Sequence, residues 1–226
     1  MFRPREVGLG NTLLLLTKVD TVSSAIYDWK CFGKYFRLKN IKVIDDDGSM
    51  PDAKIGIIIG DPDHKKISDI IEPTDELLKL VDKYRDLVFR VEFGLQIRRC
   101  GFSNVSSVKN DTGANFKFCT DETLNEFVRL VQHTGGCVFL TTDCQDTKMK
   151  FKKTFGDKVR IIDDEPEHIA HCGDKDPWLT YIEFILLSKC PMVVMTGGDK
   201  DMFTFSTFGY ASALYGNKRF IPYFNS

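Results

Sequence analysis

The stretch Cys137-Val138-Phe139-Leu140-Thr141-Thr142 decides the fold class, because it is an uncharged, largely apolar run of strand length. A run of this kind predicts a strand that is buried on both faces of a sheet. A second buried strand is predicted at 191–196, and further strands lie within 88–97 and at 159–162. Helical patterns alternate with these strands at 121–133, 145–155, 177–189 and 206–215. This alternation predicts an α/β fold, in which helices cover both faces of a parallel sheet.

The first 87 residues show weaker patterns of secondary structure. A helix is expected at 11–25, opened by the turn Gly8-Leu9-Gly10, and another helix at 76–86. Short strands are expected at 41–44 and at 55–59. The change in pattern near residue 88 predicts a small N-terminal lobe at 1–87 and a larger lobe at 88–226.

The composition is that of an ordinary globular protein: 226 residues, 42% hydrophobic and 28% charged. The formal net charge is −1, which provides no basic field, so a nucleic-acid partner is not expected. The longest apolar run near the start, Leu13 to Leu16, is too short for a signal-peptide core or a membrane span. Together with the start at Met1, this favours a cytoplasmic protein without a membrane span; the alternative is a trimmed domain of a secretory-pathway protein.

The seven cysteines are scattered and form no C-x-x-C pair, so zinc-binding spacing is absent and a reducing compartment is favoured. His168 and His171 lie in an acid-rich segment, but no third ligand has a suitable spacing. The acidic run Asp45-Asp46-Asp47 is interpreted as a solvated turn. We therefore expect no metal and no cofactor.

In parallel α/β sheets, ligands bind beyond the carboxyl ends of the strands. Gln96-Ile97-Arg98-Arg99 closes one predicted strand. Two consecutive arginines point in different directions, so one can enter a ligand crevice while the other anchors a loop or a second ligand group. A guanidinium group binds phosphate oxygens in a two-pronged arrangement. The alternative is a solvated loop or an ion pair with a nearby acid, and the local sequence alone favours it.

Hydroxyl residues stand before the last helix. The segment from Thr196-Gly197-Gly198 to Ser206-Thr207-Phe208 follows another predicted strand. Side-chain hydroxyls and backbone N–H groups at a helix N-terminus form an anion site. The alternative is a simple N-cap. Paired with an arginine at another strand end of the same sheet, this segment indicates a diphosphate clamp.

Two acidic residues each have two interpretations. Glu183 lies in the helix before that strand, and its carboxylate either accepts two hydrogen bonds from a guanine edge or is simply at the surface. Asp143 either belongs to the site or caps the next helix. The P-loop, G-x-S-x-G and G-x-G-x-x-G motifs are absent from the sequence. Kinase, α/β-hydrolase and dinucleotide-oxidoreductase functions therefore lack their signatures.

Taken together, these segments resemble the GDP-fucosyltransferase superfamily, which includes core-fucosylating, nodulation, xyloglucan and protein O-fucosyltransferases. The matching segments occur in the family's order: Gly8-Leu9-Gly10-Asn11, Phe93 to Arg99, Val138 to Asp143, and Leu187-Ser188 through Ser206-Thr207-Phe208. The resemblance covers 88–216 well and the first third only at its opening turn. Gln96 replaces the histidine of several branches, as in the plant branch, and Cys100-Gly101 replaces a common Gly-Asp or Thr-Asp.

The resemblance implies a metal-independent, inverting glycosyltransferase of the two-lobed GT-B fold, with an acceptor-side lobe at 1–87 and a Rossmann-like nucleotide-sugar lobe at 88–226. The implied donor is GDP-fucose, and the implied acceptor is a glycan or a protein. Arg98 would be the catalytic residue that holds the β-phosphate and stabilises the departing GDP. The other residues implied in donor binding are Gln96, Arg99, Glu183, Ser206, Thr207, Phe208 and, from the other lobe, Asn11.

Other hypotheses remain open. Asp111, Asp121 and Glu122 are candidates for the general base only because they follow the arginine strand. The short first lobe and the unidentified base suit a non-catalytic nucleotide-binding module. Glutamate in place of aspartate at position 183 leaves room for another donor, such as GDP-mannose or a UDP-sugar.

Overall fold

The computed structural model describes residues 9–17, 25–26, 31–39, 42–43, 67–99, 119–166, 175–198, 200 and 205–225. The first part of the chain contains α1 (Leu9–Leu16), β1 (Ala25–Ile26), α2 (Phe32–Tyr35), β2 (Phe36–Leu38), β3 (Lys42–Val43), α3 (Ile67–Ile70), β4 (Ile71–Pro73), α4 (Asp75–Asp82) and a 3₁₀ turn at Arg85–Val88. The second part contains β5 (Val91–Ile97), α5 (Asp121–His133), β6 (Cys137–Thr142), α6 (Gln145–Phe155), a 3₁₀ turn at Gly156–Lys158, β7 (Val159–Arg160), α7 (Trp178–Lys189), β8 (Met192–Thr196), α8 (Thr207–Tyr215) and β9 (Arg219–Tyr223).

A five-stranded sheet in the order β7-β6-β5-β8-β9 forms the centre of the second part. All of its strand pairs are parallel, which confirms the predicted parallel sheet. The helices α5 to α8 fall where the apolar periodicity predicted them. The predicted strand at 159–162 leaves the ladder after Arg160, although Ile161 and Ile162 remain buried.

Alternate residues of the sheet face two separate cores. Phe93, Leu95 and Ile97 belong to the core that contains residues of α5 and α6. Gly94 lies on the opposite face, under α7. A Cβ atom at Gly94 would lie 2.4 Å from Leu187 Cδ1, so the absence of a side chain lets α7 approach the sheet closely. This face of β5 is therefore the one on which α7 and α8 pack.

The N-terminal elements pack on the outer side of α7 and α8. Residues of α1 to α4 share one core cluster with residues of α7 and α8. The ring of Tyr35 lies 4.6 Å from that of Tyr181, and the ring of Phe36 lies 6.0 Å from that of Phe184. Because α7 is covered on both sides, almost its whole length is buried, from Leu179 to Ser188. The division of the chain at residue 87 stays a prediction.

Several expectations for local structure need correction. The first helix spans Leu9–Leu16 and Ala25 belongs to strand β1, so the predicted helix at 11–25 was wrong at both ends, while residues 18–24 lie outside the described residues. The helix predicted at 76–86 ends at Asp82 and is followed by a 3₁₀ turn.

The edge strand β9 was not predicted at all. Its sequence RFIPY contains Pro222, and proline within an apolar run argues against a strand unless that strand lies at a sheet edge. The predicted strand at 55–59 and the acidic turn at 45–47 lie outside the described residues, whereas Lys42 and Val43 of the predicted strand at 41–44 form β3. Within the described ranges, no helix is both long and apolar enough to cross a membrane.

Candidate functional site

Arg98 follows the carboxyl end of β5, where the backbone leaves the sheet. Its backbone N–H donates a hydrogen bond of 3.0 Å to the hydroxyl of Thr196, at the end of β8. Burial lowers the pKa of the Arg98 guanidinium, and the negative charge of Asp143 opposes that shift. A guanidinium keeps its proton even so, because its ordinary pKa is far above neutrality. A half-buried permanent cation therefore lies at the carboxyl edge of the sheet.

Arg99 has a different set of partners. Its backbone N–H donates to Asp143 Oδ1 over 2.8 Å. Its guanidinium donates to the carbonyl oxygen of Cys119 over 2.8 Å and to the carboxylate of Asp121. These bonds join the end of β5 to the start of α5. Arg99 therefore matches the anchoring role that was considered for one of the two arginines.

Asp143 does not cap the following helix. The N-cap residue of α6 is Cys144, which makes no side-chain capping bond. The Asp143 carboxylate instead holds the backbone of Arg99 and acts electrostatically on Arg98. The carboxyl ends of β5, β6 and β8 thus meet at one edge, as the sequence predicted for Arg98, Asp143 and Thr196.

The N-terminus of α8 lies at the same edge. The backbone N–H of Ser206 donates to the carbonyl oxygen of Thr196 over 2.9 Å. Ser206 is the N-cap residue, yet its hydroxyl makes no capping bond, and this buried hydroxyl has no hydrogen-bond partner in the described part of the chain. The first turn of α8 therefore presents backbone N–H groups and a hydroxyl without the usual side-chain cap, which is the arrangement of an anion site.

Helix α1 lies directly against this first turn. A Cβ atom at Gly10 would lie 2.3 Å from the backbone carbonyl carbon of Thr207 and 2.5 Å from the backbone nitrogen of Phe208. No side chain fits there unless one helix moves. Asn11 follows Gly10 and is half-buried, so the structure brings Asn11, Thr207 and Phe208 into one neighbourhood. Phe208 also packs its ring 5.9 Å from that of Phe184, within the core.

Glu183 is buried, with 6% of its surface exposed, so the alternative of a surface glutamate is wrong. Gln96 lies on the same side of the sheet, since a Cβ atom at Gly209 of α8 would lie 3.4 Å from Gln96 Oε1. Thr141 is the neighbour of Gln96 in the sheet. Among the described residues, neither Gln96 Oε1 nor Thr141 Oγ1 has a hydrogen-bond partner, although both are buried. Buried polar atoms of this kind are rare and often mark a functional site.

Sequence analysis missed one residue of this region, Lys148. Its side chain is 2% exposed, and its ammonium donates to the carbonyl oxygen of Asp164. Burial lowers the pKa of Lys148, and Glu183 is the first of the acids that oppose the shift, followed by Asp163 and Asp164. A signal was available: Lys148 lies on the same helical stripe as Phe151 and Phe155, at spacings of three and four.

Of the three candidates for the general base, the structure describes Asp121 and Glu122. The Asp121 carboxylate is 79% exposed and pairs with Arg99. Glu122 is exposed in the first turn of α5. Asp111, His168 and His171 lie outside the described residues. In the described ranges, no group of three or more His, Cys, Asp or Glu residues could hold a metal ion. Cys31, Cys119, Cys137, Cys144 and Cys190 are free thiols.

The fold is shared with solved fucosyltransferases. The structure of NodZ α-1,6-fucosyltransferase soaked with GDP-fucose matches 94% of this chain and 90% of its own, with a TM-score of 0.56 and 14% identity. NodZ from Bradyrhizobium matches 93% of this chain and 90% of its own, with a TM-score of 0.58 and 14% identity. A structure of POFUT1 in complex with GDP matches 70% of this chain and 48% of its own, with a TM-score of 0.42 and 13% identity.

No protein-family model and no curated protein matches the sequence. At 14% identity the likeness to NodZ shows the fold, and the fold is that of GT-B fucosyltransferases. The fold class implied by the sequence resemblance is therefore confirmed, as is a fucosyltransferase-like architecture.

Proposed function

We propose that this protein is an inverting glycosyltransferase that transfers fucose from GDP-fucose to a glycan or a protein acceptor. One observation carries the proposal: Thr196 holds both Arg98 and Ser206. Its hydroxyl accepts from the Arg98 backbone, and its carbonyl oxygen accepts from the Ser206 backbone. The Arg98 backbone and a helix N-terminus without a side-chain cap are thereby fixed at one sheet edge, where a permanent cation and the helix terminus both favour a diphosphate.

In this proposal the diphosphate lies between Arg98 and the first turn of α8. Arg98 binds the β-phosphate, while Ser206, Thr207 and Phe208 contribute the hydroxyl groups and backbone N–H groups of the turn. When the bond between fucose and GDP breaks, negative charge grows on the β-phosphate. Arg98 is held by the sheet before the reaction begins, so it stabilises this charge without reorganisation. The acceptor hydroxyl attacks the anomeric carbon from the opposite side, and the configuration inverts.

The base end of the nucleotide is assigned to the α7 side of the site. A carboxylate at Glu183 suits guanine, whose ring N–H and amino group both donate hydrogen bonds. Gln96 Oε1 and Thr141 Oγ1 are buried acceptors on the same side that lack partners among the described residues. Asn11, beside the first turn of α8, faces the sugar or the acceptor. The reaction is expected to need no metal ion and no cofactor.

A nucleotide-binding module without transferase activity is the second candidate. It is favoured by Asp121, a candidate base whose carboxylate is already paired with Arg99. Arg98 and the α8 terminus would bind GDP in either case, so binding alone does not separate the two functions.

Calorimetry with GDP, UDP and ADP tests the donor site, followed by measurement of GDP release from GDP-fucose and from GDP-mannose with mixed glycan acceptors. The proposal predicts that GDP binds most tightly and that GDP-fucose with an acceptor gives turnover that survives a chelator. GDP binding without transfer or hydrolysis would support the module. Tighter binding of UDP than of GDP would indicate a UDP-sugar as the donor instead of GDP-fucose. If none of the three nucleotides bound, the proposed nucleotide site would be wrong.

A further inference from the structure

The two residues that follow β9, Phe224 and Asn225, lie along the carboxyl edge of the sheet. They pair with the backbone that follows β8. The N–H of Gly197 donates to the carbonyl oxygen of Tyr223 over 2.7 Å, and the N–H of Asn225 donates to the carbonyl oxygen of the next glycine, Gly198, over 2.9 Å. A Cβ atom at Gly197 would lie 2.8 Å from Phe224 Cδ1, so the two segments are in close contact. The pairing of β8 with β9 thus continues beyond both strands and places Asn225 at the edge of the candidate site.

The Asn225 side chain binds the start of α5, which lies at the same edge. Its Oδ1 accepts from the backbone N–H of Thr120 over 3.3 Å and from the hydroxyl of Thr123 over 2.9 Å. Thr120 is the N-cap residue of α5, and its own hydroxyl accepts from the Thr123 N–H over 3.2 Å. Thr123 is 1% exposed, so its bond to Asn225 is shielded from water. Asn225 therefore joins the β9 side of the sheet to the first turn of α5.

The start of α5 in turn holds the backbone of Arg98. Cys119, the residue before Thr120, donates its N–H to the carbonyl oxygen of Arg98 over 2.8 Å. The carbonyl oxygen of Cys119 accepts from the guanidinium of Arg99 over 2.8 Å. On the other side, the N–H of Arg98 donates to the hydroxyl of Thr196. Both polar groups of the Arg98 backbone are thus bonded, one to the end of β8 and the other to the residue before the α5 N-cap.

We propose that Asn225 is a positioning residue for Arg98: by fixing the start of α5, it holds the Arg98 backbone in the orientation that directs the guanidinium towards the β-phosphate of the donor. The inference rests on the proposed function. Thr196 fixes only the N–H end of Arg98, and the backbone still has two soft dihedral angles at this residue when Cys119 moves. A preorganised cation stabilises growing charge without rearrangement, so a loosened Arg98 loses part of that effect.

The link between Asn225 and α5 can be weakened from either side. Asn225→Ala removes the acceptor, whereas Thr123→Val removes one donor and keeps the backbone N–H that bonds to the N-cap. An effect that comes from another contact of Asn225 would not appear in Thr123→Val. Because valine has nearly the shape of threonine, Thr123→Val also provides a folded protein if Asn225→Ala unfolds. The control is Thr134→Ala, which removes the bond from the Thr134 hydroxyl to the carbonyl oxygen of Leu130 at the opposite end of α5.

Calorimetry of GDP and of GMP measures the positioning role. GMP lacks the β-phosphate that Arg98 is proposed to hold, so its affinity should change little in any variant. Asn225→Ala should weaken GDP binding by about five- to tenfold, as expected for one lost capping residue, and Thr123→Val by about two- to threefold. Thr134→Ala should keep the parental ratio of GDP to GMP affinity, although its unfolding midpoint in urea should be lower. A purely structural role for Asn225 would weaken both nucleotides alike.

The outcomes separate this inference from the proposed function. If Asn225→Ala or Thr123→Val keeps the parental ratio of GDP to GMP affinity, the role of Asn225 is overturned while GDP binding by the parent still stands. An equal fall of that ratio in Thr134→Ala overturns it too, because any loosening of α5 would then have the same effect. If the parent binds neither nucleotide, or binds GMP as tightly as GDP, the proposed donor site and the role of Asn225 are overturned together.

Discussion

The side chain of Thr196 accepts a hydrogen bond from the backbone N–H of Arg98 over 3.0 Å, across the junction between β8 and β5. Thr196 is fully buried, so this bond is shielded from water. The same residue accepts from Ser206 through its carbonyl oxygen. The position of the proposed catalytic cation and that of the α8 terminus thus depend on one threonine.

Replacing Thr196 with valine should lower both stability and GDP affinity. Valine has the same shape but no acceptor, so the Arg98 N–H loses its partner in a buried place. Such a loss costs about 1–3 kcal/mol in the free energy of unfolding. GDP affinity should fall as well, because the start of the Arg98 loop is no longer held. Urea denaturation and calorimetry measure the two effects.

Thr141→Val is the matched stability control. Thr141 is 2% exposed and lies at the end of the neighbouring strand, but its hydroxyl has no partner among the described residues. Its removal should leave the unfolding free energy unchanged or raise it slightly. Equal losses of unfolding free energy in Thr196→Val and Thr141→Val would mean that the hydrogen bond between Thr196 and Arg98 does not contribute to stability.

Arg98→Ala should weaken GDP binding and reduce turnover further than binding. A fixed guanidinium binds the transition state, with its growing charge, better than the ground state. The loss of one preorganised donor costs roughly 2.7–4 kcal/mol, or about a hundred- to a thousandfold in rate. Arg98→Lys should also be poor, since an ammonium cannot form two parallel bonds. Folded Arg98→Ala with parental GDP affinity and turnover would place the donor site elsewhere.

Arg99 should behave differently from Arg98. Its guanidinium is occupied by the Cys119 carbonyl oxygen and the Asp121 carboxylate, so Arg99→Ala should mainly reduce stability, by about 1–2 kcal/mol. GDP affinity should change by less than about tenfold, because the anchor is lost but the Arg98 cation remains. Asp121→Asn should lower stability less than Arg99→Ala does, since the amide oxygen of asparagine still accepts a hydrogen bond from Arg99. An Arg99→Ala protein of parental stability that failed to bind GDP would identify Arg99 as a direct donor ligand.

The sequence predicted the sheet and its helices well because both faces of each central strand are buried. Cys137 to Thr142 and Met192 to Thr196 are uncharged and largely apolar, and such runs have few alternative structures. Parallel strands bring their carboxyl ends together, so the neighbourhood of Arg98, Asp143 and Thr196 followed from topology alone. The edge strand β9 was missed because its pattern is mixed and contains Pro222.

The individual roles within the site could not be predicted in the same way. The sequence shows that Arg98 and Arg99 are adjacent, but the choice of Arg99 as the anchor depends on Asp121, which comes 22 positions later. Lys148 was missed because a lysine near the start of a helix is ordinarily exposed, and its ammonium here reaches the carbonyl oxygen of Asp164 in a different segment of the chain.

High pH should destabilise the protein through two buried thiols. Burial raises the pKa of Cys119 and that of Cys190 to about 12, and each thiol donates to a backbone carbonyl oxygen. In the unfolded chain the pKa of both thiols is about 8.5. The folded state therefore keeps protons that the unfolded state releases, so stability is complete below that pH and falls as pH rises towards 12.

Between pH 7.5 and 9.5 the loss should be on the order of 1 kcal/mol per thiol. The double variant Cys119→Ala/Cys190→Ala should show a flatter dependence of unfolding free energy on pH than the parent. Cys137→Ala is the control, since Cys137 is only partly buried. An unchanged slope in the double variant would show that these thiols are not protected by the fold.

Ser206→Ala separates a binding role from a capping role. A serine at an N-cap usually stabilises its helix, and its replacement by alanine costs about 1 kcal/mol. The Ser206 hydroxyl makes no such bond, so its removal should change the unfolding free energy by less than about 0.5 kcal/mol. GDP affinity should nevertheless fall by about tenfold, because the hydroxyl is a donor to the diphosphate. Thr74→Ala is the matched control: Thr74 Oγ1 accepts from the Leu77 N–H over 3.3 Å, so this variant should lose about 1 kcal/mol of stability and keep its GDP affinity. If Ser206→Ala lost stability as Thr74→Ala does and bound GDP as the parent does, the α8 terminus would be an ordinary helix start and the anion site would have to lie elsewhere.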